Sequence, residues 1–430
     1  MRLNVVRNRL LPLWGILFSG FSLFFLAGTA AMTASAENLR MLYMAQAGYQ
    51  PQSIQERAKE FTHDTGVPVD LTFAEYEDQY NLIAEAAAGK IPPFDVILVD
   101  LIWTADFARH HIIDPVPQPL VDRVKSGIIP EIYSAFEYRD RMWAYPFLAN
   151  FQLFYSNSDL LHKAGFDRPP STLEELVHMA ELAKARGVAD YPIFESWRKQ
   201  EVLICDFVWL VGAFGGSLDA PHGRINVEST AARRALDFMV MLLKKGLVNP
   251  YSLQSDELFS ADAFLWGDAL FTTNWTFILG RMNEVPFNST HFEASLIPVA
   301  EAEKKTASST STVSGFQGLS VMSNSRHKDL AWRFASYLSS PEFSRRHLEE
   351  MSVWKQVWNE AWTSERDPYL SIKRAELKGV HNRPAEPDYR SISAALQDWI
   401  YQALTGKVTS AVALAGAQRE IDRVAAMPSE

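Results

Sequence analysis

Two short stretches place a tryptophan beside a polar side chain where an apolar run gives way. In the first, FDVILVD (94–100) is followed by Trp103-Thr104-Ala105-Asp106. In the second, GDALFTTNWTFILG (267–280), Asn274 and Trp275 stand side by side. Flat aromatic faces suit the C–H faces of a pyranose, and carboxylates and amides take its hydroxyls. Such pairs point to holding a polyhydroxylated ligand. Trp275 has two readings, a large hydrophobe in a core or an aromatic surface at an opening; a lone Trp is ordinarily core, and the polar neighbour favours the opening.

Signatures of bond-making chemistry are missing. The chain has no G-x-S-x-G, H-E-x-x-H, G-x-x-x-x-G-K-[ST] or G-x-G-x-x-G stretch. His110 and His111 are adjacent, so their rings diverge on a helix and suit a helix end better than a metal. The lone Cys205 lies in an apolar run and reads as a small core residue, which also excludes an intrachain disulfide. With 51 acidic residues some carboxylate pair can always be imagined as a glycosidase dyad, but spacing does not select one. We expect no enzyme activity, no cofactor and no metal.

The first residues read as an export signal. Arg2, Arg7 and Arg9 precede LLPLWGILFSGFSLFFLAG and a small-residue ending at Ala34-Ser35-Ala36, which predicts cleavage after Ala36. The apolar stretch is also long enough to span a bilayer uncleaved. No Cys near the cleavage point offers a lipid anchor, so a free periplasmic monomer is expected. Cleavage leaves 38 of the 41 basic residues against 51 acidic ones, an acidic balance that argues against nucleic acid as a partner. Asn274-Trp275-Thr276 and Asn288-Ser289-Thr290 match a glycosylation pattern by chance in such a protein.

The mature chain, about 394 residues, is long enough for two domains. Strand character at 39–45, 67–73 and 94–100 alternates with helical patterns at 51–66 and 76–89, which predicts a parallel sheet with right-handed crossovers. Helices follow at 173–187, started by Ser171-Thr172, and at 229–246, stopped by Lys-Lys-Gly. The segment 301–315 is polar, rich in Ser and Thr, and reads as mobile. Strand character returns at 315–322, and nearly everything beyond Lys328 is helical. Those late helices must pack on sheets made earlier, so the chain crosses between domains more than once.

Together, FDVILVDLIWTADFARHHIIDPV, RMWAYPFLANFQLFYSNSDLLHKAGFDRPPSTLEELVHMA, GDALFTTNWTFILG and SGFQGLSVMSNSRHKDLAWRFASYLSSPEF resemble, in order and spacing, carbohydrate-type extracellular solute-binding proteins of ABC importers. The resemblance implies an α/β, two-lobed periplasmic binding protein fold with a multi-strand hinge, the first lobe 37–148 and 278–324, the second 149–277 and 325–430. It implies a sugar receptor whose partners are the ligand and the ABC permease transmembrane subunits, and it nominates Trp103, Asp106, Trp275, Gly315 and Gln317, with Asn274 as neighbour. MSVWKQVWNEAW (351–362) lacks the proline common in relatives; Trp354 within it is a candidate cleft aromatic. Two alternatives stay open: the same fold holding a polyamine or phosphorylated polyol, with Asp106 and Glu201 facing a cation, or an exported glycosidase.

Overall fold

The computed structural model describes residues 38–45, 48–220, 224–282 and 291–426. The expected signal segment 1–36 and the Asn288-Ser289-Thr290 pattern lie outside them. Among the described residues no helix is long and apolar enough to cross a membrane.

A five-stranded sheet runs in the order Val69–Ala74, Leu39–Met44, Val96–Asp100, Gln317–Val321, Tyr145–Leu148. The first three strands are parallel, joined through the helices Pro51–Thr65 and Tyr76–Ala87. Val96–Asp100 is buried along its whole length, as a central parallel strand covered on both faces must be. Gln317–Val321 runs antiparallel to both neighbours.

A three-stranded antiparallel sheet, Phe271–Trp275, Gln152–Asn157 and Phe292–Ser295, anchors the second lobe. Alternation along Gln152–Asn157 sends Leu153 and Tyr155 toward one core and Phe154 toward the other, the period-2 behaviour of a strand covered on both faces. The second core is filled by the helices Leu173–Ala185, Glu201–Ala213, Thr230–Lys244, Tyr389–Leu404 and Ser410–Ala425. Thr172 and Ser229 cap two of them by accepting from the N–H groups of Glu175 and Ala232 at 3.1 Å each, satisfying donors that a helix start leaves open.

Residues after 324 divide between the lobes, whereas the sequence placed them all in the second. Lys328–Leu338 follows the Gln317–Val321 strand after a short turn and buries Ala331, Trp332, Phe334, Ala335 and Leu338 in the first core. Its apolar stripe is already in reach of that sheet, and crossing over would leave the sheet uncovered. The Ser/Thr-rich segment also differs from expectation. Ser311 and Thr312 are buried and donate to the carbonyls of Trp209 and Gln152, both at 2.7 Å. Thr312–Val313 then pairs in parallel with Val380–His381.

Candidate functional site

Between the lobes lies a cleft whose interior and open mouth together take up about 770 Å3. Element ends build its walls. On the first lobe, Asp100 ends its strand and Gln317 begins the neighbouring one, and the antiparallel register pairs the two directly. The helix starts at Tyr76 and Glu77, at Glu201 and at Glu257 face the same space. Trp275, the last residue of its strand, supplies the largest aromatic surface.

Trp275 sits where it does because Gly315 has no side chain. A Cβ on Gly315 would fall 2.7 Å from the indole and 3.0 Å from the Asn150 amide. The first distance is shorter than real Cβ contacts and the second is at their tight limit, so the glycine makes room for the ring and the amide. Gly48 plays the same part for Glu350, whose carboxylate would lie 2.3 Å from an added Cβ.

Four polar atoms on the cleft-lining residues have no hydrogen-bond partner: Gln317 Oε1, Asn150 Oδ1, Glu350 Oε1 and Arg383 Nε. Leaving a buried polar atom unpaired costs about 1–3 kcal/mol. Three acceptors and a donor unpaired at one opening are what a ligand with several hydroxyl groups would satisfy.

Arg383 ties the lobes together. One guanidinium nitrogen donates to Asp100 Oδ1 at 3.0 Å and to the Ser314 carbonyl at 3.3 Å, the other to Glu201 Oε1 at 3.0 Å. Asp100 also accepts from the Tyr76 hydroxyl at 3.2 Å, and Glu201 from Tyr389 at 2.7 Å. One buried cation therefore serves a strand end of the first lobe and a helix start of the second.

Several buried carboxyls are pushed upward, chiefly by burial, which disfavours the charged form. Glu350, Glu257 and Asp206 rise to about 7 and Glu376 to about 8. Raised carboxyl values make stability fully present below the unfolded value near 4.3 and lost as pH climbs through 7 to 8. Glu60 and Glu175, held near 2 by Arg346 and Arg168, titrate far below that window. The melting temperature is therefore expected to fall by several degrees between pH 6.5 and pH 8.5. Glu376→Gln, which removes the highest of these groups, should flatten the decline; calorimetric scans at the two pH values check both.

Of the residues nominated from sequence, Trp275, Gly315 and Gln317 line the cleft, and Trp103, Asp106, Asn274 and Trp354 do not. The strand stops at Asp100, whose side chain accepts from the Ile102 N–H at 3.2 Å and starts a helix at once. This carries Trp103 inward, 3 % exposed, where it stacks behind Tyr76 at 5.1 Å. Asp106, one turn on, holds Tyr80 and His110 instead. Asn274 points to the strand face opposite Trp275, and its amide donates to Glu257 O and Ser260 Oγ at 2.9 Å each. That pins the helix carrying Glu257. Trp354 is buried, its indole N–H on the Ser339 carbonyl at 3.2 Å.

Sequence reasoning missed Asn150, Glu350, Arg383, Glu77 and Glu257 as cleft residues. Asp100, where both the expected strand 94–100 and the observed strand end, was within reach of the rule that ligands bind beyond the carboxyl ends of strands. Cys205 lies buried beside this wall.

Comparison with known proteins agrees with this architecture. Residues 47–343 match the family model described as bacterial extracellular solute-binding protein. A probable ABC transporter-binding protein of Deinococcus radiodurans is 24% identical over 80% of this chain and 83% of its own. A mannitol-binding protein of Pseudomonas aeruginosa is 22% identical over 77% and 80%. Among solved structures, maltose-bound MalE3 of T. maritima superposes with a TM-score of 0.80 at 22% identity, covering 90% of this chain and 99% of that one. A solute-binding protein of Thermotoga lettingae bound with α-D-tagatose gives 0.81 at 21%, with the same coverage. These structures have the two-lobed periplasmic binding protein fold described above. With the family model spanning more than half of its length, the chain belongs to the bacterial extracellular solute-binding proteins.

Proposed function

We propose that the protein is a periplasmic monomer that captures a saccharide between its lobes and delivers it to the transmembrane subunits of an ABC importer. The observation that carries this reading is Trp275 drawn against Gly315 beside the unpaired oxygens of Gln317 and Asn150. The indole supplies area for a sugar face, and the amides choose among hydroxyl patterns. Relatives named for maltose, tagatose and mannitol support a polyhydroxylated ligand.

The crossings near residues 149–151, 275–277 and 313–315 serve as the hinge, with lobes divided there. A ligand touching both walls binds the closed arrangement better than the open one, and only that difference shifts the hinge equilibrium. The closed form is the one a permease would recognise. No covalent step enters this cycle, so the protein acts as a receptor and not as an enzyme.

A thermal-shift screen of mono- and oligosaccharides against polyamines and phosphorylated polyols tests the reading. A saccharide at 100 times its Kd should stabilise by about 2.7 kcal/mol. Response to polyamines alone, or release of reducing sugar from a polysaccharide, would overturn it.

A further inference from the structure

Carboxylates outnumber cations in the cleft. Glu77, Asp100, Glu201, Glu257 and Glu350 line it, and the basic residue among the lining is Arg383, already shared by Asp100 and Glu201. Among the described residues Glu77, Glu257 and Glu350 form no ion pair. Burial chiefly pushes the Glu77 carboxyl up, with Glu201 adding to the rise and Arg198 and Arg390 opposing it, and burial likewise raises Glu257, to which Glu77 adds a smaller push. Glu77, Glu201 and Glu257 come from three different helices and from both lobes.

An acid in the first turn of a helix is ordinary, since the helix N-terminus carries about half a positive charge. Of the three, Glu201 is answered by Arg383, which Asp100 also occupies, whereas Glu77 and Glu257 have no ion-pair partner among the described residues. A second observation also points to a ligand. Gln317, 5 % exposed, and Glu350, 1 % exposed, line the same cleft with Oε1 atoms that accept nothing. The unpaired groups thus call for donors more than for acceptors. A metal cation does not fit, because among the described residues no three His, Cys, Asp or Glu side chains are grouped to hold one.

We infer that the saccharide carries a protonated amine, seated between Glu77, Glu201 and Glu257 at the mouth of the cleft while its sugar face lies on Trp275. The inference rests on the reading of the cleft as a saccharide site and narrows it to amino sugars. The ammonium offers three donors to carboxylates that otherwise repel one another across the opening. Closure brings the helix of the first lobe toward those of the second. A neutral sugar would leave that repulsion in place, whereas an ammonium between the lobes converts it into attraction. Discrimination between charged and neutral sugars is then built into lobe closure.

Calorimetric titration of the full mature protein at pH 7 tests this with matched sets: glucosamine, galactosamine, mannosamine and a β-1,4-linked glucosamine dimer, each against its N-acetyl form and parent sugar, with spermidine as a cation lacking a sugar. At least one amino sugar is expected to bind tenfold or more tighter than both of its neutral counterparts. Glu77→Gln and Glu257→Gln should each shrink that ratio several-fold, with folding checked by the melt, and Glu131→Gln on the exposed surface should not. Neutral counterparts binding as tightly as the amines in every set would overturn the inference and leave the saccharide reading standing. Binding of spermidine alone, or of nothing, would overturn both.

Discussion

Arg383→Met is expected to destabilise the protein by about 3–5 kcal/mol, the cost of removing one partner from a buried ion pair. The guanidinium is 2 % exposed and its partners Asp100 and Glu201 are 5 % and 15 % exposed, so removing the cation leaves two largely desolvated carboxylates unpaired. Surface pairs such as Lys199–Asp398, about half exposed on both sides, are worth about 0–1 kcal/mol and set the contrast. At roughly 2–4 °C per kcal/mol for domains of this size, the melt should drop by about 10 °C. Arg383→Lys should recover only part of it, because a point charge cannot face Asp100, Ser314 and Glu201 together. The double variant Arg383→Met with Asp100→Asn should lie closer to the native protein than Arg383→Met alone. Melting of Arg383→Met at the native temperature would mean that Arg383 carries no stability.

Trp275→Ala is expected to weaken saccharide binding by about 2–4 kcal/mol, the usual cost of truncating a central aromatic anchor, or roughly 30- to 1,000-fold. The melt should change little. Trp275 is only partly buried, and the hydrogen bond that ties its position to the sheet, Tyr155 Oη to the Trp275 carbonyl at 3.0 Å, uses backbone that alanine keeps. Were the indole a core filler, the same substitution would cost about 3–5 kcal/mol of stability and leave affinity alone. Titration and melting of the one variant therefore separate the two readings that the sequence left open.

The fold was readable where pattern and local chemistry agree. The first three parallel strands announce themselves as apolar runs between helical faces, and Thr172 and Ser229 start helices as their positions promise. Misreadings came where one residue type serves two ends. Thr310, Ser311 and Thr312 looked like a mobile loop because hydroxyls mark loops. Here Ser311 and Thr312 are buried and Thr310 partly so, and the three donate to the Trp209 carbonyl, the Gln152 carbonyl and Glu376 respectively.

The cleft was legible in part. Trp275, Gly315 and Gln317 line the cleft as the resemblance implied, whereas Trp103 was misplaced because the chain turns into a helix straight after Asp100 and carries the ring inward. Arg383 had no signal at all. It lies in a polar loop, and its two carboxylate partners are 283 and 182 residues away, so only the folded chain brings them together.

The most direct test of the central claim is a crystal structure with whichever saccharide raises the melting temperature most in the screen. The expected result is one sugar ring against the Trp275 indole, with hydroxyls in hydrogen-bond reach of Gln317 Oε1 and Asn150 Oδ1. A saccharide bound elsewhere, touching none of these three side chains, would contradict it.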